Sequence, residues 1–278
     1  MLGAVGADLH GQRLKQNLSK VGVDVSALKE SQEQPTGMAV ITVLPHGDNS
    51  ILVLPGANSQ VTPAYVQQHL DLLEACDYVV FQLEIPLETV VYAAKEASRL
   101  GKKVILDPAP AVPGLPEELL QSLYLIKPNE TELSILTGRP HDPARLREDA
   151  LSLQARGVKN VLVTLGGAGS YLLREDGTET RIPADSTVKV VDTTQPGIAI
   201  WAPGGGLSQG RDLEEAAALP PACRTSWCPG RGRRPPFPLW RSWKKAPPHK
   251  RKATEKLPQG CVLGSFFVRV SQKVIVPI

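Results

Sequence analysis

Cysteine is scarce: the 278 residues hold four, and Cys76 stands alone between an expected helix and an expected strand. That is too few for a disulfide framework, so a reducing, cytoplasmic setting is the expectation. Long apolar runs are absent too. None approaches the ~20 residues that cross a bilayer, and the opening Met1–Ala7 lacks the basic n-region of a secretory signal. Tryptophan is missing from the first 200 residues, and acidic residues are nearly missing from the last 59, where Glu255 stands against 13 lysines and arginines. Membrane and secreted classes are therefore set aside.

What is present divides into two regimes. Hydrophobic residues make up 42% of the chain, enough for a large buried core. Residues 1–219 carry a formal charge of −9 and residues 220–278 one of +12, so the overall +3 describes neither part. Trp201, Trp227, Trp240 and Trp243, three of the four cysteines and ten of the 25 prolines all crowd toward the carboxyl end.

The first 194 residues alternate strand and helix signals. Thr62 can cap and Pro63 fits a first turn, so a helix is expected from there to about Ala75. A buried strand follows over Asp77–Leu83, a helix over Leu87–Leu100 stopped by Gly101, and a strand over Lys103–Leu106. Tyr124–Ile126 reads as a short strand, Glu130–Leu136 as a helix ended by Gly138, Asp142 and Pro143 as the opening of a helix closed by Gly157, and Asn160–Thr164 as a strand. Strands separated by helices of this length imply a mainly parallel sheet with helices on both faces. Two hairpins interrupt the pattern: Met38–Leu44 with Ser50–Leu54, and Ser170–Leu173 with Glu179–Ile182.

In an open α/β sheet, ligands sit beyond the carboxyl ends of the strands. The residues that leave those ends are Glu84; Asp107, Pro108, Ala109 and Pro110; Lys127 to Glu132; and Thr164 to Gly169. A glycine-rich turn leaves backbone N–H groups open to phosphate, and a carboxylate beside an amide suits a hydrated magnesium ion. The rim suits a nucleotide.

The series Pro35-Thr36-Gly37-Met38-Ala39, Pro55-Gly56-Ala57-Asn58, Gln82-Leu83-Glu84, Asp107 to Ala111, Pro128 to Glu132, Val163 to Gly166 and Val191-Asp192-Thr193-Thr194 resembles the ribokinase family of sugar kinases in order and spacing, over about residues 3–194. The resemblance implies a ribokinase-like α/β fold and transfer of the ATP γ-phosphate to the 5-hydroxyl of D-ribose. It implies Glu84 as a sugar-hydroxyl acceptor, Asn129 and Glu132 as organisers of Mg2+ and phosphates, and Thr164, Leu165, Gly166, Gly167, Ala168 and Gly169 as the nucleotide-binding turn. Asp192 and Thr194 match positions that hold a monovalent cation (K+). Each position also has an ordinary structural explanation: Glu84 as a helix cap, Asn129 with Glu132 as a capping box, and Gly166–Gly169 as a tight turn. Asp107, between a strand and prolines, reads as structural. His46, His69 and His141 are scattered and are not assigned to a metal.

Two departures bear on activity. In the resembled family, Asp-Thr-Thr is followed by Gly-Ala-Gly-Asp, whose amides stabilise the transferring phosphoryl group and whose Asp is the base. Here the corresponding residues are Gln195, Pro196, Gly197 and Ile198. Proline has no N–H and isoleucine accepts no proton, so the base position is occupied by Ile198 and the chain is expected to be an impaired kinase. Read one base off frame, the degenerate codons of Gln195–Ala199 can encode Ala-Gly-Asp-Ser, and Leu213–Leu219 again resembles the family's next helix. Frame disruptions near 194 and 219 are the hypothesis, and resequencing the DNA decides it. At the other end the family's opening strand, sugar loop and lid strands have no counterpart before Met1, so a fold truncated at the N-terminus is expected. The lid joins the family's homodimers, which calls dimerisation here into question.

Three segments result: a partial domain over 1–194, an altered continuation over 195–219, and a Pro/Arg/Lys-rich tail over 220–278. The tail interleaves basic clusters with Trp227, Trp240 and Trp243, ingredients of nucleic-acid binding. It lacks apolar periodicity, which argues instead for a disordered basic tail. Cys223, Cys228, Cys261 and His249 do not form a zinc-ligand spacing. The expected partners are therefore a small-molecule sugar and ATP, with no membrane; nucleic-acid binding by the basic tail is the alternative to be tested, and a catalytically dead nucleotide-binding remnant the other.

Overall fold

The computed structural model describes residues 1–20, 22–43, 49–184, 212–217, 260–262 and 268–272. Strand β1 (Gly3–Gly6) and strand β2 (Leu28–Ser31) flank helix α1 (Leu9–Lys20) and pair in parallel as a two-stranded sheet. Strands β3 (Met38–Val43) and β4 (Asn49–Leu54) form the expected first hairpin, with Met38 opposite Leu54 and Ile41 opposite Ile51. It belongs to a small sheet of its own, apart from the main one.

The helix expected as one rod from Thr62 to Ala75 is two: α2 (Pro63–Gln67) and α3 (Leu70–Glu74). Thr62 caps the first through its hydroxyl, as expected. The break falls at His69, whose backbone leaves the helical region (φ −128°, ψ 28°) and whose ring stands edge-on to Tyr65 at 4.8 Å. Neither glycine nor proline marks the spot.

The main sheet is then built by β5 (Tyr78–Phe81), α4 (Leu87–Arg99), β6 (Lys103–Leu106), α5 (Glu117–Leu120), β7 (Leu125–Ile126), α6 (Glu130–Thr137), α7 (Leu146–Ala155), β8 (Asn160–Thr164), β9 (Ser170–Leu173) and β10 (Glu179–Ile182). A 3-10 turn over Pro143–Arg145, capped by Asp142, precedes α7. Helix α8 (Leu213–Ala217) and strands β11 (Gly260–Val262) and β12 (Val268–Gln272) complete the described elements. The main sheet has seven strands in the order β10-β9-β8-β7-β6-β5-β11. Strands β5 to β8 run parallel, β11 adds in parallel to β5, and β9 and β10 return antiparallel. The small sheet runs β12-β3-β4. Of the segment 220–278, expected to lack order, only β11 and β12 fall among the described residues.

Side chains alternate between two layers, as the strand pleat requires. Val79, Phe81, Val104, Leu106, Ile126, Val161, Val163, Tyr171 and Leu173 point into the larger core, shared with α4, α6 and α7. Tyr78, Val80, Ile105, Leu125, Leu162 and Leu172 point the other way, against Leu213 and Ala216 of α8. Helices thus lie on both faces, and the α/β architecture expected from the sequence is the one found. Helix α4 buries Val90, Ala93, Ala94 and Ala97 on one stripe, the small alanines allowing close approach, and Gly101 (φ +74°) follows it with a conformation few other residues adopt. Each fully buried large apolar side chain, such as Phe81 or Leu106, contributes about 1.5–3 kcal/mol.

Candidate active site at the carboxyl rim of the sheet

The strand exits are stitched to one another. The Asp107 amide donates to the Phe81 carbonyl (2.9 Å), Leu83 to Ala109 (3.0 Å), Lys127 to Leu106 (2.9 Å) and Thr164 to Pro128 (2.9 Å). A further parallel bridge joins Asn129 to Thr164. Glu84, Asp107–Pro110, Lys127–Glu132 and Thr164–Gly169 therefore share one rim, where an open α/β sheet places its ligands.

Glu84 is half buried in the loop from β5 to α4. It is not the N-cap of that helix, since Pro86 occupies the position. Asn129 and Glu132 do form a capping box: Asn129 Oδ1 accepts the Glu132 amide at 2.8 Å, and a Glu132 carboxylate oxygen accepts the Asn129 amide at 2.7 Å. The second Glu132 oxygen and the Asn129 side-chain nitrogen take no part in the cap. Structure and chemistry are compatible here, because the cap orients both side chains on the rim.

The main surprise lies beneath them. Lys127 Nζ stands 3.5 Å from Asp107 Oδ2, with the two residues 3% and 1% exposed. That is too long for a strong hydrogen bond, and neither Asp107 oxygen has a hydrogen-bond partner. Burial pushes the Asp107 carboxyl above its ordinary range, with Lys127 opposing. Burial also raises Glu132, and the Asp107 charge raises it further, against the Asn129 amide and Lys127. Asp107 had read as structural and Lys127 had carried no role. The available signal was their shared position, one residue past consecutive parallel strands and just before a proline.

The turn after β8 divides its amides. Those of Leu165, Ala168 and Gly169 are consumed within it, bonding to Gly169, Leu165 and Gly166 carbonyls. The amides of Gly166 and Gly167 make no such bond, both residues are exposed, and a Cβ on either would meet nothing within 4 Å. Two N–H groups left open among the described residues, on a turn at the rim, are of the kind that can cradle an anion. Asp192, Thr194 and Ile198 lie outside the described residues. Among the described residues no helix is long and apolar enough to cross a membrane, and no three His, Cys, Asp or Glu side chains cluster as a metal cage.

Comparison with known proteins agrees with this geometry. A family model described as pfkB family carbohydrate kinase matches residues 1–197. The chain is 36% identical over 228 residues to a ribokinase from Schizosaccharomyces pombe, covering 80% of this chain and 71% of that one. A deoxyribokinase from Salmonella typhi is 36% identical over 200 residues, 72% of this chain and 65% of the relative. Among solved structures, Arabidopsis thaliana ribokinase complexed with ribose and ATP superposes with a TM-score of 0.76 at 31% identity, covering 88% of this chain and 80% of that one. The chain thus spans about two thirds of the length of these sequence relatives. With the rim, the sheet order and the motif series all in agreement, the chain belongs to the pfkB family of carbohydrate kinases and is of ribokinase type.

Proposed function

We propose that the chain binds ATP and a pentose on this rim and transfers the γ-phosphate to the 5-hydroxyl of D-ribose. The observation that carries the reading is the convergence of Glu84, the Asn129–Glu132 pair and the open amides of Gly166 and Gly167 on one edge of the parallel sheet. Glu84 accepts a sugar hydroxyl, Asn129 and Glu132 order the phosphates, and the turn from Thr164 to Gly169 receives the nucleotide. The Arabidopsis relative solved with ribose and ATP supports the ligand pair. The Salmonella deoxyribokinase makes 2-deoxyribose the competing sugar to test.

In the reaction the 5-hydroxyl oxygen attacks the γ-phosphorus, the bond to the β-phosphate oxygen breaks, ADP leaves, and the hydroxyl proton passes to a base. Isoleucine at position 198 accepts no proton, which costs on the order of 10²- to 10⁴-fold in rate. Binding without turnover is therefore the second reading.

Magnesium fits the donor set. It prefers hard oxygens, keeps several waters and takes the remainder from one or two carboxylates and substrate phosphates. Glu132, raised in pKa by burial, and Asp107, whose oxygens accept no hydrogen bond among the described residues, are such carboxylates. When bound, the ion neutralises phosphate charge. Asp192 and Thr194 are the proposed ligands of a monovalent cation, K+. A cytoplasmic location follows from the same reading. A homodimer would use the β3–β4 hairpin, whose Ile51, Leu52, Val53 and Leu54 are 41–62% exposed.

A coupled ADP-release assay with ribose and 2-deoxyribose, run beside calorimetric titration of ATP with Mg2+, tests the proposal. Sugar-dependent turnover supports the kinase; heat of nucleotide binding without turnover supports the binding-only reading; absence of both rejects the site.

A further inference from the structure

The β3–β4 hairpin joins the body through two legs, one ending in Pro35–Gly37 and one beginning at Pro55. Both are locked at a single point. Asp8, just past β1, accepts three hydrogen bonds: from the Gly11 amide to Oδ1 (2.8 Å), from the Thr36 hydroxyl to Oδ1 (2.7 Å) and from the Thr36 amide to Oδ2 (2.8 Å). The Thr36 hydroxyl in turn accepts the Gly6 amide at 3.0 Å. Thr36 is 4% exposed. The second leg is tied to the first by the Ala57 amide, which donates to the Pro35 carbonyl at 2.8 Å.

Three glycines leave this clamp no slack. A Cβ on Gly6 would lie 2.5 Å from the Thr36 nitrogen and 2.7 Å from Asp8 Oδ2. One on Gly11 would lie 2.1 Å from the Gly6 oxygen, and one on Gly56 (φ +52°) 2.3 Å from the Pro35 oxygen. Capping α1 needs only the Asp8–Gly11 bond. The two bonds to Thr36 reach 28 residues along the chain to the root of the hairpin. With β12 paired in parallel along β3, the hairpin forms a three-stranded sheet apart from the main one, so its attitude to the body is set by how its two legs are rooted.

That root adjoins the Glu84 end of the rim. The second leg runs through the 3-10 turn Gly56–Gln60 to Val61, whose carbonyl accepts the Thr89 hydroxyl at 2.7 Å. Thr89 lies in the first turn of α4, immediately beyond the loop that carries Glu84. The phosphate cradle at Gly166 and Gly167 lies at the exit of β8, separated from β5 by β6 and β7.

We propose that Asp8 and Thr36 are positioning residues that fix the β3–β4 hairpin at the Glu84 end of the rim, and so set sugar affinity without setting nucleotide affinity. This rests on the reading of Glu84 as the sugar end. The test uses the full chain with Thr36→Val, which removes the hydroxyl at nearly constant volume, and Thr36→Ser, which restores it. Asp8→Asn serves as a second disruption that preserves size. Amide hydrogen exchange is followed over 38–43, 49–54 and β5–β8, and calorimetry measures ribose and ATP binding.

Thr36→Val and Asp8→Asn are expected to speed exchange in the hairpin alone and to weaken ribose about three- to tenfold, the value of one lost hydrogen bond. ATP affinity stays within about twofold, and Thr36→Ser returns both readouts to those of the parent. Unchanged hairpin exchange overturns the proposal, as does equal loss of sugar and nucleotide affinity. If the parent chain binds ATP but no sugar, the sugar reading of Glu84 and the affinity half of the proposal fail together, while hairpin exchange still decides whether the clamp holds the hairpin.

Discussion

Lys127 and Asp107 face each other at 3.5 Å from the ends of adjacent strands, both buried, and the carboxylate accepts no hydrogen bond among the described residues. A buried pair of this kind is a poor source of net stability, because removing two charges from water costs more than a long contact returns. Its place beside Glu132 gives it another use under the proposed function: an underfilled carboxylate offered to a metal and phosphates.

Breaking the pair from one side should be expensive. Lys127→Met strands the Asp107 charge and is expected to destabilise the protein by about 3–5 kcal/mol in urea denaturation, whereas adding Asp107→Leu should recover most of that loss. A single-variant loss below about 1 kcal/mol would show that the contact carries no charge interaction.

Glu132 titrates above its ordinary range in the folded chain, so its charge costs stability as the pH rises. The cost is absent below the unfolded value of 4.5 and grows as the pH climbs through the folded value. Glu132→Gln, which can still accept the Asn129 amide, should therefore melt higher than the parent at neutral pH, with the difference closing near pH 4. Magnesium-dependent ATP affinity should fall in the same variant. Differential scanning calorimetry across pH, without nucleotide, gives the first readout.

Two glycines of the same turn should behave differently. Gly166 (φ +52°) has open space before it, so Gly166→Ala should cost only about 1 kcal/mol from its left-handed backbone, yet weaken ATP binding. At Gly169 (φ +91°) a Cβ would sit 2.0 Å from the Ile182 oxygen, so Gly169→Ala should cost roughly 2–4 kcal/mol. Thermal melts and nucleotide titrations of the two variants separate fold from ligand.

Restoring Gly-Ala-Gly-Asp through Gln195→Gly, Pro196→Ala and Ile198→Asp returns a base and an amide to the expected positions. ADP release with ribose should rise at least ~10²-fold. A rate that stays at the parent level would mean that something other than these residues limits turnover.

The fold was legible where hydrophobic pattern and punctuation coincide. Lys103–Leu106 and Asn160–Thr164 emerged with the expected bounds, and Gly101, Gly138 and Gly157 all take positive φ after their helices. The opening β1-α1-β2 unit was not read, because β1 is Gly-Ala-Val-Gly, β2 alternates poorly as Leu-Lys-Glu-Ser, and α1 buries only a glycine. The four-residue α5 was too short to show a period. On the rim, Glu84, Asn129, Glu132 and the glycine turn were visible as polar residues after apolar strands. Lys127 was not, because lysines are seldom buried, and nothing local announces that a neighbouring strand will enclose one. Asp8 carried no signal, and Thr36 appeared only as part of a motif, because their bond joins residues 28 apart and only the folded backbone brings them together.

Strands β11 and β12 have a practical consequence for anyone handling this polypeptide. They lie along β5 and β3, each covering a ladder that would otherwise end in unpaired amides and carbonyls. Proteolytic trimming that removes the carboxyl-terminal stretch would strip both sheets in one cut, offering neighbouring molecules two sticky borders on which to stack.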